Sequence, residues 1–200
     1  VKAIVVACNT ASALALSDIE KEIDIPIIGV MKPGARAAAA ATKNGRIGVI
    51  GTESTIRSGM YSRFLQEINP NITVVGKACP LFVPLVEEGW LKDPVTEEVA
   101  RRYLEELTRV EIDVLILGCT HYPLLRSTVK KVVGGQVELV NPAYETAQEL
   151  KRLLADQDLL NPGVKEEEFP YRFYVSDAAE KFKQFANSIL PYDVRVTQQI

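Results

Sequence analysis

Two cysteines stand in closely similar settings far apart in the chain. The segment Ala3-Ile4-Val5-Val6-Ala7-Cys8-Asn9-Thr10 is echoed by Val114-Leu115-Ile116-Leu117-Gly118-Cys119-Thr120-His121. Each is an apolar run, a small residue, a cysteine and a polar pair. In parallel α/β architectures, ligands collect outside the carboxyl ends of strands, where helix N-termini present unpaired N–H groups. A helix end also carries partial positive charge, which lowers the pKa of a thiol placed there. That matters because an ordinary thiol, with a pKa of about 8.5, is only slightly ionised at neutral pH. His121, the only histidine in the chain, lies two residues beyond Cys119 and is placed to exchange a proton with that thiol or with a substrate group. Thr52 and Thr55 follow another apolar run; they offer donors for a carboxylate or serve as plain helix caps.

Blander readings compete with these. A cysteine that ends a strand is commonly a small buried hydrophobe, and Cys79, with no polar pair after it, is assigned to that class. Zinc held by Cys8, Cys119 and His121 is a third reading, but the short Cys-x-x-Cys pairs of structural zinc sites are missing, and no metal is expected.

The elements that must position these residues alternate between short β-rich runs and helical patterns, the mark of parallel α/β units. Strands are expected at 3–7, 25–30, 46–50, 72–77, 113–117, 137–140, 172–175 and, weakly, 194–196. Most are apolar on both faces, as in sheets covered by helices on each side. Helices are expected at 11–22, with Leu14 and Ile19 on the apolar side, and at 33–43, 94–108, 123–133, 143–154 and 178–190. Asp93 is the expected N-cap of the third, whose apolar stripe is Val95, Val99, Tyr103 and Leu107. Gly134-Gly135 reads as a turn and 161–170, acidic and bounded by prolines, as an exposed loop.

The repeated unit implies two similar parallel-sheet α/β lobes, each presenting a cysteine to a shared cleft. Residues 1–32 together with 141–200 form the first expected lobe and 33–140 the second. A hydrophobic fraction of 47% can build a core, and a net charge of −3 without a basic block argues against a nucleic-acid binder. No apolar run is long enough to span a bilayer. Three cysteines make no disulfide framework, so the expected compartment is the reducing cytosol.

The strings Val6-Ala7-Cys8-Asn9-Thr10-Ala11-Ser12 and Leu117-Gly118-Cys119-Thr120-His121-Tyr122-Pro123-Leu124 resemble the two signature motifs of bacterial glutamate racemase. Gly48-Val49-Ile50-Gly51-Thr52 and the stretch from Ala78 to Gly89 also resemble segments of that family. The resemblance implies an enzyme that interconverts L- and D-glutamate without a cofactor, by two-base proton transfer at the α carbon, and supplies D-glutamate for peptidoglycan. By the family's pattern Cys8 and Cys119 are the two bases, His121 assists Cys119, and Glu87 is an acid near that histidine. By the same pattern Asn9, Thr10, Thr120 and His121 contact substrate; Thr52 and Thr55, from the residues alone, hold a substrate carboxylate or serve as plain caps. From the residues alone, Glu87 reads equally well as a solvated helix-end residue beside Glu88.

The alternatives are another two-cysteine racemase or isomerase of the same superfamily, acting for instance on aspartate, or a non-catalytic amino-acid-binding protein on this fold. A cytoplasmic homodimer is expected, with a small-molecule substrate and neither membrane nor nucleic acid as partner. The family's opening Asp-Ser-Gly strand end and its Tyr-Gly segment are not present in this sequence, which begins at Val1 on an apolar run read as a fully buried strand. An N-terminally incomplete chain, inactive by itself for want of those pocket residues, is therefore expected.

Overall fold

In the computed structural model, which describes residues 1–161, 171–195 and 197–200, the apolar runs form strands joined by helices throughout. The elements run β1 (Ile4–Val6), α1 (Asn9–Leu14), α2 (Leu16–Glu22), β2 (Ile27–Gly29), α3 (Met31–Ala41), β3 (Arg46–Gly51), α4 (Glu53–Arg57), α5 (Met60–Ile68), β4 (Thr73–Ala78), α6 (Phe82–Glu87), α7 (Pro94–Arg109) and β5 (Val114–Gly118). A 3₁₀ turn (Tyr122–Leu125), α8 (Arg126–Val133), β6 (Glu138–Val140), α9 (Pro142–Asp156), β7 (Phe173–Val175), α10 (Ala179–Ile189) and β8 (Thr197–Gln199) complete the order. Residues Val1–Leu160 make one compact unit and Asn161–Ile200 another.

Every strand pairing among the described residues is parallel, so strands of one sheet are joined by crossovers and the chain is an α/β protein. The first unit holds a two-stranded sheet, β1-β2, and a four-stranded sheet in the order β4-β3-β5-β6. Central β3 and β5 are buried almost throughout, as apolar strands covered on both faces must be. Val30, Met31, Ala35 and Ala38 cover one face with Tyr61 and Leu65, against Ile47, Val49, Val114 and Ile116. The second unit pairs β7 with β8 around α10.

Several local expectations need correction. Val5 is 37% exposed, so β1 is not fully buried: it pairs with β2 alone among the described residues. The helix expected at 11–22 breaks into α1 and α2 at Ala15, and Leu14 is exposed. On α7 Asp93 does cap the helix, accepting from the Val95 N–H at 2.8 Å, but the buried stripe is Thr96, Ala100, Leu104 and Leu107. Val95 faces outward because the Thr96 hydroxyl is drawn inward to the Trp90 carbonyl at 2.6 Å, which sets the helix's rotation. Helix α5 was not expected, and of α4 and α6 only the start after Thr52 and the end at Glu87 were read, without ranges. The last strand lies at Thr197–Gln199; Val194 is instead buried with its N–H on Asn187 Oδ1, and Val196 is outside the described residues. Of the loop expected at 161–170, all but Asn161 lies outside them too.

Candidate active site

The carboxyl ends of β1, β3 and β5 carry the polar groups that the sequence singled out. Cys8 follows β1 and is the N-cap of α1: its backbone is extended, and its Sγ accepts the Ala11 N–H at 3.5 Å. This thiol is exposed. Asn9, the first residue of the helix, is buried and accepts the Tyr61 hydroxyl on Oδ1 at 2.6 Å. Thr10 Oγ1 lies 2.8 Å from Thr52 Oγ1 and 3.1 Å from Thr55 Oγ1.

Thr52 ends β3 and caps α4, accepting the Thr55 N–H at 3.3 Å while its hydroxyl donates to Thr55 Oγ1 at 3.1 Å. Three threonine hydroxyls thus meet in a triangle, fed by one helix start and one strand end. Each can rotate to donate outward or within the cluster, which suits recognition of an acceptor such as a carboxylate.

Cys119 follows β5 and is buried. Its Sγ lies 3.9 Å from His121 Nδ1, and Thr120 Oγ1 is 3.1 Å from the same nitrogen. On the other side of the ring, His121 Nε2 lies 3.5 Å from Glu87 Oε1, at the end of α6. With the proton on Nε2 facing Glu87, Nδ1 is an acceptor turned toward the thiol and the Thr120 hydroxyl. Burial pushes the Cys119 thiol above its ordinary value, while the backbone N–H of His121 and the Thr120 hydroxyl pull it down.

Beneath this layer lies a rigid support. The Tyr122 hydroxyl donates to the Cys79 carbonyl at 2.8 Å, and Phe82 meets Tyr122 edge-on with centroids 5.3 Å apart. Cys79 is a fully buried core residue, its thiol pushed up to about 12 by desolvation. Among the described residues, no three His, Cys, Asp or Glu side chains form a cluster able to hold a metal ion.

All nine residues singled out from the sequence lie at strand ends or the first turns of helices, except Glu87, which reaches His121 from the last turn of α6. Tyr61 escaped notice. Its only sequence signal was the i, i+4 pairing with Leu65 on α5, which marks it as a core residue and nothing more.

Fold and site together define a parallel α/β protein with two thiols, a histidine–carboxylate pair and a hydroxyl cluster at neighbouring strand ends. The Asp/Glu/Hydantoin racemase family matches residues 1–150, and the chain belongs to it. A glutamate racemase of Geobacter metallireducens is 47% identical over 190 residues, which cover 95% of this chain and 70% of that relative. A crystal structure of a glutamate racemase isoform from Bacillus anthracis superposes with a TM-score of 0.94 at 40% identity, over 100% of this chain and 74% of its own. The glutamate racemase of Francisella tularensis, solved in complex with D-glutamate, gives a TM-score of 0.90 at 35% identity over 100% of this chain and 73% of its own. The chain is thus an isomerase of the amino-acid racemase class. No helix among the described residues is long and apolar enough to cross a membrane.

Proposed function

We propose that this chain carries the two-thiol centre of a glutamate racemase. One cysteine, as thiolate, removes the α proton from one face of the substrate; the other, as thiol, delivers its proton to the opposite face. The α C–H electron pair stays on carbon, delocalised into the carboxylate, until the second proton arrives. The enzyme ends the turnover with its charged and neutral thiols exchanged. Abstraction from one face and delivery to the other need two acid/base groups, and that requirement is met by Cys8 at the start of α1 and Cys119 after β5.

The observation that carries the reading is the setting of the two cysteines at strand ends among polar groups suited to an amino acid: Cys8 lies two residues before Thr10, which meets Thr52 and Thr55, and Cys119 lies beside His121, which Glu87 backs. His121, backed by Glu87, serves Cys119 by accepting or returning a proton at Nδ1. Asn9, Thr10 and Thr120 hold the substrate near the thiols, and the Thr52–Thr55 pair receives a carboxylate. Glutamate is favoured over aspartate by the relatives: those at 40–48% identity are glutamate racemases, and the one from Francisella tularensis binds D-glutamate. The physiological role that follows is supply of D-glutamate for peptidoglycan in the cytoplasm, by a homodimer.

Cys8→Ser and Cys119→Ser, each made in the whole protein, test the mechanism. Each should lower racemisation of glutamate by about a thousandfold or more, because serine's hydroxyl is too weak an acid to serve as an anion. Each single variant should nonetheless eliminate hydrogen halide from one enantiomer only of a β-halogenated glutamate, since elimination needs one base. Retained racemisation in either variant would overturn the two-thiol mechanism, and aspartate turned over as fast as glutamate would overturn the substrate.

A further inference from the structure

Tyr61 touches both cysteine segments. Its ring belongs to the core under α5, and a Cβ placed on Gly118 would come within 3.3 Å of Tyr61 Cε2, so the ring lies against the residue that precedes Cys119. At its other end the hydroxyl donates to Oδ1 of Asn9, the residue that follows Cys8, at 2.6 Å. Asn9 is only 4% exposed, yet its Nδ2 has no hydrogen-bond partner among the described residues. That nitrogen is not sealed in either: the one fully enclosed, unpartnered side-chain N or O among those residues is Thr197 Oγ1. The amide is thus held by its oxygen with its two N–H donors open.

A primary amide left to itself can turn over, exchanging its acceptor and donor ends. Tyr61 opposes this. Turned over, Asn9 would donate to the tyrosine oxygen and leave a buried hydroxyl proton without an acceptor, a costly arrangement. Burial also raises the Tyr61 pKa, so the hydroxyl keeps its proton and remains a donor.

We propose that Tyr61 is a positioning residue for the racemase site, fixing Asn9 so that its amide N–H groups face an acceptor oxygen of the amino-acid substrate beside Cys8. The inference rests on the site reading above. Tyr61 never meets the reacting atoms, so its contribution lies in substrate grip and not in proton transfer.

Tyr61→Phe in the whole protein removes the hydroxyl and leaves the ring over Gly118. KM for both glutamate enantiomers should rise about five- to tenfold, the loss expected for one oriented hydrogen bond, while kcat stays within about twofold. In an Asn9→Ala background the same substitution should add nothing further. An unchanged KM, or a Tyr61→Phe effect that multiplies undiminished onto Asn9→Ala, would overturn the proposal. If the parent protein does not racemise glutamate, the site reading fails, and the Tyr61 tether is decided by the side-chain amide resonances of Asn9. These should be a sharp pair in the parent and shifted and broadened in Tyr61→Phe; an identical pair in both proteins would dispose of the tether.

Discussion

Cys8 and Cys119 are held differently, and the difference has a kinetic consequence. Cys8 is exposed with a backbone N–H on its sulfur, whereas Cys119 is buried beside a histidine. A two-thiol racemase works only with one sulfur charged and the other protonated, so activity must fall at high pH when the second thiol ionises. Burial raises the Cys119 thiol. Raised means protonated to higher pH, so the alkaline limb of kcat/KM should lie above about 8.5, the ordinary thiol value. Because the enantiomers of glutamate have equal free energy, kcat/KM must follow the same curve in both directions. Stopped-flow or polarimetric assays across the alkaline range check this. An alkaline limb near neutrality would mean that the buried thiol is not the group that must stay protonated.

At the level of elements, the sequence was informative where the chemistry is local. The strand ends that carry Cys8, Thr52 and Cys119 could be placed because an apolar run followed by capping residues has few alternatives in a parallel α/β chain. Rotation of α7 could not, since Val95, Val99 and Tyr103 form as good a stripe as Thr96, Ala100 and Leu104, and the choice is made by the Trp90 carbonyl accepting the Thr96 hydroxyl. Short α4 and α6 have too few residues for a period, and Tyr61 looks like any core aromatic until its hydroxyl is seen on Asn9. Close strand approach was equally invisible. Gly118 pairs with Gly51, and a Cβ there would lie 2.6 Å from the Ile50 carbonyl oxygen, so β3 and β5 would have to shift. Gly118→Ala should therefore cost about 1–3 kcal/mol and displace Cys119 at the same time. Gly135→Ala, with nothing within 4 Å of the added carbon, is the matched control. Denaturation midpoints and racemase rates of the two variants give the answer; equal stability would show that the strands yield freely.

Across the unit Val1–Leu160, the site lies where separate sheets meet. Cys8, Asn9 and Thr10 follow the two-stranded sheet, while Thr52, Thr55, Cys119 and His121 follow strands of the four-stranded one. Elsewhere α3 and α9 draw these parts together: Gly34 sits so close to Pro142 that a Cβ would come within 3.0 Å of it, and Arg36 pairs with Glu149. At the site itself the link is polar, made by Thr10 with Thr52 and Thr55 and by Asn9 with Tyr61. In the proposed site a substrate gripped from both sides would add a further tie that only the folded chain can make. At a hundred times its Kd, such a ligand stabilises the fold by about 2.7 kcal/mol. For a chain of this size that corresponds to a rise in Tm of roughly 5–10 °C. Trp90, the only tryptophan, lies in this unit and reports its unfolding by fluorescence. L- and D-glutamate should both give the shift, sodium chloride at equal ionic strength should not, and Asn9→Ala should lose most of it. A Tm indifferent to glutamate at concentrations that saturate turnover would mean that the substrate does not join the two sheets.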